Sequence, residues 1–299
     1  MAGTLTRRQV LATGALGAVA ALAGGAGLVQ AGVLPGRYRA GRLLGACDVG
    51  GPPPTTVAPG PLRLASFPSE RRGRAVGYGI AWPPGSGPGD RLPVVVLLHA
   101  AAGNERTPFD RLRLHHHLAE AVGAGGARPF ALASADGAGS GWRATAGDDP
   151  LGMVVDELLP LLSGLGLRTG PGSLGVLGWS AGGAAALRLV EADPSRVAAL
   201  AAASPAVTRN GAEVAAAGRL GGVAVRVDCG VNDPFADGAR ALAAALPTAH
   251  VTVAKGCHDG AFWQWVAPAQ LRFLAANLRR PRPRGVPGDR RGGPPVERG

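Results

Sequence analysis

Cysteine, lysine, methionine and aromatic side chains are all scarce in this chain. Its 299 residues include three cysteines, two methionines and a single lysine, Lys255, and aromatics make up 4%. The cysteines and six histidines show no metal-ligand spacing, so a Cys/His zinc module is excluded and no metal is expected. His115, His116 and His117 are consecutive; on a helix they point about 100° apart and cannot close on one ion as residues four apart would. They are expected on a solvated helix face. No phosphate loop and no dinucleotide fingerprint with its downstream acid occurs, so no cofactor is expected. No fixed-period repeat occurs either, which excludes a solenoid.

Positive charge is plentiful, but its placement argues against nucleic acid as a partner. Of the net +11, five charges fall in residues 279–299, where seven arginines face only Asp289 and Glu297 in a Pro/Gly-rich stretch. Arg7 and Arg8 carry two more. The remaining four are spread over the body, with no basic stripe to track a phosphate backbone. The tail has almost no apolar side chains to offset the entropy of ordering, so disorder is expected there. Its partner, if it has one, is an acidic envelope or membrane surface.

Thr6-Arg7-Arg8-Gln9-Val10-Leu11 places paired arginines before an uncharged Ala/Gly-rich run, Leu11 to Ala31. This resembles a twin-arginine export signal, with a small-residue cleavage site at Val29-Gln30-Ala31. The rival expectation is an uncleaved membrane anchor, since about 20 uncharged residues suffice to span a bilayer. Either way the domain is expected outside the cytoplasm, secreted or envelope-associated. Leu44-Gly45-Ala46-Cys47 has the look of a lipid-attachment box, but Arg37, Arg39 and Arg42 separate it from the apolar run. In an oxidising compartment three cysteines leave one over. Cys229 and Cys257 fall just beyond successive apolar runs, so a Cys229–Cys257 disulfide with Cys47 free is one expectation; three free thiols is the other.

The chain divides into a signal at 1–31, a Pro/Gly-rich linker at 32–61, one catalytic-size domain at 62–278 and the basic tail at 279–299. Within the domain, apolar runs at Ala75–Trp82, Val94–Leu98, Phe130–Ala133, Leu174–Leu177, Val197–Ala202, Val223–Val227 and Val251–Ala254 read as strands. Several are apolar throughout, as strands buried on both faces are. Between them, Arg111–Val122, Gly152–Leu162, Ala181–Ala192, Asp237–Leu246 and Phe262–Leu278 have helical spacing or length. The expected fold is α/β, a mostly parallel sheet with helices on both faces, and its ligands should bind beyond the carboxyl ends of the strands.

The reactive residues fall at those ends. Gly178-Trp179-Ser180-Ala181-Gly182 follows a strand and opens a helix, the context of a nucleophile elbow, in which a tight turn thrusts the serine hydroxyl outward. A serine is a weak nucleophile until a base takes its proton, and His258, after the last strand, is the expected base. His250 precedes that strand and belongs at the opposite end. Asp233, in Gly230-Val231-Asn232-Asp233-Pro234-Phe235, is the expected acid, with an ordinary helix cap as its alternative role. Backbone N–H groups of Ala181 and of Ala101 or Ala102 are expected to form the oxyanion hole. Trp142, Phe235, Phe262 and Trp263 are candidate pocket walls.

With these motifs in view, residues 62–278 resemble the esterase D or putative esterase family of α/β-hydrolases, related to the antigen 85 mycolyltransferases. The resemblance is carried by Leu97-Leu98-His99, Ser134-Ala135-Asp136-Gly137 before Trp142, Met153 with Asp156-Glu157-Leu158-Leu159-Pro160, the elbow, Gly230 to Phe235, and His258-Asp259 ahead of Phe262-Trp263. It implies a serine esterase acting through an acyl-enzyme on a small-molecule or lipid ester. The family's His-Gly opening of the oxyanion loop is His99-Ala100 here. An acyltransferase and a non-catalytic binding protein on the same scaffold are the other two function classes that the sequence leaves open.

Overall fold

The uniformly apolar run Val94–Leu98 is buried along its whole length, which only a strand covered on both sides achieves. The computed structural model, which describes residues 37–43, 45–124, 126–137 and 139–278, places it inside an eight-stranded sheet of order β1-β2-β4-β3-β5-β6-β7-β8. The strands are β1 Leu62–Ser69, β2 Arg74–Ala81, β3 Val94–Leu98, β4 Ala131–Ala135, β5 Leu174–Trp179, β6 Ala199–Ala203, β7 Ala224–Gly230 and β8 His250–Ala254. β1, β2 and β4 pair antiparallel, and every other pair is parallel.

Both faces are covered, as expected. Preceding the sheet is α1, Arg37–Leu43, and the later helices are α2 Thr107–Asp110, α3 Leu114–Gly123, α4 Pro150–Met153, α5 Leu159–Gly164, α6 Ala181–Ala192, α7 Ala212–Ala215, α8 Ala236–Ala245 and α9 Gly260–Asn277. A π-helical turn, Val154–Leu158, joins α4 to α5. One apolar cluster sets Leu114 and Leu118 of α3 and Phe262, Leu271 and Leu274 of α9 against Val95, Leu97 and Leu177. The other packs Met153, Leu158, Leu187, Val190 and Leu242 against Val94, Val96, Val176 and Val227.

Four sequence expectations change. β1 was not anticipated: it is an edge strand, exposed over much of its length, with a proline inside. The consecutive histidines are not a solvated face, because His117 is buried and burial lowers the pKa of both His115 and His117 to about 4. The disulfide joins Cys47 to Cys257 across 210 residues, leaving Cys229 as the buried free thiol. Pairing Cys229 with Cys257 looked plausible because β7 and β8 are neighbours, but the sequence does not say where Cys47 goes.

The fourth change concerns the linker. From Asp48 to Gly60 it is irregular, as its prolines require, yet it is held to the domain. Besides the disulfide, the Thr56 and Val57 N–H groups both donate to the Glu120 carboxylate, the latter at 2.6 Å. The expected export segment and basic tail lie outside the described residues. Among the described residues, no helix is long and apolar enough to cross a membrane.

Candidate active site

The elbow is built by close approach. A Cβ on Gly178 would stand 2.2 Å from the Gly182 carbonyl oxygen, and one on Gly182 would stand 1.9 Å from that of Leu98. Only glycine fits at either place. Between them Ser180 takes φ 56° and ψ −123°, a conformation that L residues rarely hold. The Ser180 N–H donates to Ala203 O (3.0 Å), and its carbonyl accepts from Ala184 (3.2 Å) and Ala206 (2.9 Å). Strand, turn and helix together over-determine the strained residue, and its hydroxyl rises beyond the carboxyl end of β5.

The three side chains named from the sequence meet there. Ser180 Oγ lies 2.9 Å from His258 Nε2, and His258 Nδ1 lies 2.9 Å from Asp233 Oδ2. The Asp233 side chain is fully buried and that of His258 is 17% exposed. A carboxylate only accepts, so Nδ1 carries the imidazole proton and Nε2 is left to accept from the serine hydroxyl. Asp233 Oδ1 accepts from the Phe235 N–H at 2.8 Å, which fixes the carboxylate plane. The helix that follows Asp233, α8, has Phe235 at its N-cap position and no side-chain cap bond, whereas α9 is capped by Asp259, which accepts from the Phe262 N–H at 3.0 Å. His250 opens β8 at the other end of the sheet, in register with Arg226.

The surroundings sort the remaining candidates. Phe235 and Trp263, each half-buried, meet the His258 imidazole edge to face, both with centroids 5.3 Å away. Trp142 and Phe262 are buried core residues rather than pocket walls. Ala181 is the first residue of α6, so its N–H has no acceptor within the helix. Ala101 and Ala102 lie in an exposed turn closed by the Gly103 N–H on Ala100 O (2.8 Å).

That turn is fastened by a residue whose part here the sequence did not disclose. His99 is buried, its Nδ1 lies 2.7 Å from Ala100 O, and its Nε2 accepts from the Gly137 N–H at 2.8 Å. Trp142 Nε1 donates to His99 O, also at 2.8 Å. Burial holds the His99 pKa below its usual value, which keeps the ring neutral and able to accept. The loops after β3 and β4 are thereby bolted together beside the serine. Cys229, by contrast, is inert in this setting: burial, and next the Asp233 charge, push its thiol pKa up. Among the described residues no group of three or more His, Cys, Asp or Glu could hold a metal ion.

A ferulic acid esterase superposes with a TM-score of 0.68 at 18% identity, over 73% of this chain and 98% of its own. The ferulic acid esterase of Anaeromyces mucronatus, solved with ferulic acid, gives 0.63 at 15% identity, over 78% and 96%. An S-formylglutathione hydrolase from Agrobacterium tumefaciens gives 0.59 at 16%, over 76% and 99%. The fold is that of the α/β-hydrolases. In α/β-hydrolase terms, the match takes in nearly all of each neighbour and leaves about a quarter of this chain outside. No protein-family model matches the sequence, and no curated protein matches it.

Proposed function

We propose that the chain is an exported serine esterase. The observation that carries this reading is the unbroken run of Ser180, His258 and Asp233, with 2.9 Å at each step, raised on a strained elbow. In acylation His258 Nε2 takes the hydroxyl proton as Ser180 Oγ bonds to the ester carbonyl carbon. The oxyanion is held by the Ala181 N–H and by one from the 100–102 turn, with Ala101 as the assigned second donor. His258 then returns the proton to the departing alcohol oxygen, and the carbon–oxygen bond breaks. In deacylation water gives a proton to Nε2 as its oxygen bonds to the acyl carbon, and Nε2 passes that proton to Ser180 Oγ as the carbon–Oγ bond breaks, releasing the acid and free Ser180.

Three further features support parts of this reading. Structural neighbours described as esterases and hydrolases fit the reaction class. A formed Cys47–Cys257 bond suits an oxidising compartment, in line with the paired arginines at 7 and 8. The half-buried rings of Phe235 and Trp263 beside His258 suit a small-molecule or lipid ester with an apolar flank. The arginine-rich tail is the assigned contact with an acidic envelope surface.

The deciding experiment is fluorophosphonate labelling of purified protein together with p-nitrophenyl acetate turnover. Wild type should label and turn over, and Ser180→Ala should do neither. A folded wild type that does not label would replace the enzyme by a binding protein on the same scaffold. Ester product formed on an added alcohol, in place of free acid, would make it an acyltransferase.

A further inference from the structure

The two loops that present Asp233 and His258 stand at the weak side of the sheet. β8 is the edge strand, and none of its residues is fully buried. The loop Lys255–Asp259 runs from that edge into α9, and no strand flanks it on its outer side. Yet His258 must offer both ring nitrogens at hydrogen-bond distance to groups on two other elements. Misplacement of about 1 Å costs on the order of a hundredfold in rate.

What braces these loops comes from the opposite end of the sequence. Cys47 is bonded to Cys257, the residue immediately before the base. The Tyr38 hydroxyl donates to the backbone carbonyl of His258 itself, at 3.4 Å. Arg42 Nη1 donates in turn to the Tyr38 hydroxyl at 3.1 Å. Asn232, next to the acid, donates through Nδ2 to Ala46 O at 3.5 Å, and a Cβ on Gly41 would stand only 3.0 Å from its side chain. The Asn232 N–H donates to Gly256 O at 3.1 Å, so acid loop, base loop and strap form one assembly.

We infer that the segment carrying Tyr38, Gly41, Arg42, Ala46 and Cys47 is a strap that positions His258, with Tyr38 and the Cys47–Cys257 disulfide as its two positioning contacts. Neither reaches the reacting atoms. The disulfide fixes where the loop leaves the strand edge, and the tyrosine fixes the peptide that carries the imidazole. The kinetic part of the test rests on the esterase reading; the spectroscopic part does not.

The full chain is compared with Tyr38→Phe and with Cys47→Ala/Cys257→Ala, and wild type is also measured after mild reduction and again after reoxidation. Three quantities are read: kcat and KM separately, the unfolding midpoint, and the low-field Nδ1–H resonance of His258. The double variant and the reduced protein should lose about ten- to a hundredfold in kcat with little change in KM. Their His258 resonance should broaden or vanish, and reoxidation should restore both. Tyr38→Phe should lose about two- to fivefold in kcat and keep its midpoint. A reduced protein with an unchanged resonance and unchanged kcat, whatever its midpoint, would overturn the inference and leave a mere staple. If oxidised wild type shows no turnover or labelling, the esterase reading fails, and the resonance comparison still decides the strap.

Discussion

Ser180 holds a backbone conformation that glycine would adopt freely, so its side chain is kept there at a cost to stability. Ser180→Gly should therefore abolish turnover and raise stability by about 1 kcal/mol, measured by urea unfolding. Asp233→Asn should leave the fold intact but let the amide donate to Nδ1, favouring the wrong tautomer. A fall in kcat of about four orders of magnitude is expected. The reacting residues were legible because each lies where a short local pattern ends, a glycine-flanked serine after one strand and an acid and a histidine after two others. His99 was visible as a residue but not as a fastener, since its partner Gly137 lies 38 positions away.

At the scale of elements, the bolt between the β3 and β4 loops is open to test. His99→Leu would leave the buried Gly137 N–H without its acceptor and free the turn at Ala101. About 1–3 kcal/mol of stability should go, with a larger proportional loss in kcat than in KM. Seven of the eight strands were legible from apolar runs: burial on both faces makes β3 to β6 continuous, and even the edge strand β8 keeps Val251, Val253 and Ala254 around one threonine. β1 was not, since its apolar residues are interrupted by Arg63, Ser66 and Pro68, which its exposed edge tolerates. The α3 histidines were misjudged for a related reason: three identical residues in a row carry no periodicity, so only packing decides which of them turns inward.

For the whole molecule, those histidines set a pH dependence. His115 and His117 have pKa values depressed to about 4 in the folded chain, against about 6.5 when unfolded. Between these values the unfolded state binds more protons, so their contribution is present above about pH 6.5 and is lost as pH falls toward 4. Thermal midpoints should drop between pH 7 and pH 5, and His117→Gln should flatten that slope. Cys229 should resist thiol reagents in the native, non-reduced protein and react as a single thiol once the chain is unfolded. None of the strap was legible, because its contacts span some 200 positions and its own residues carry no pattern that names a partner so far away.

The bond between Cys47 and Cys257 also turns most of the molecule into a covalent ring. All eight strands, from β1 to β8, lie between its two ends. By the loop-entropy relation a closure of this length is worth about 5 kcal/mol against unfolding. A protease that cuts any one surface turn inside the ring therefore makes a nick and not two fragments. The severed ends stay tethered through the sulfurs, and the reacting side chains remain on one molecule. Outside a cell, where peptidases are common and repair is not, such a chain survives its first cut. Gels run with and without reductant after limited digestion should differ accordingly, a single full-size band without reductant and two pieces with it.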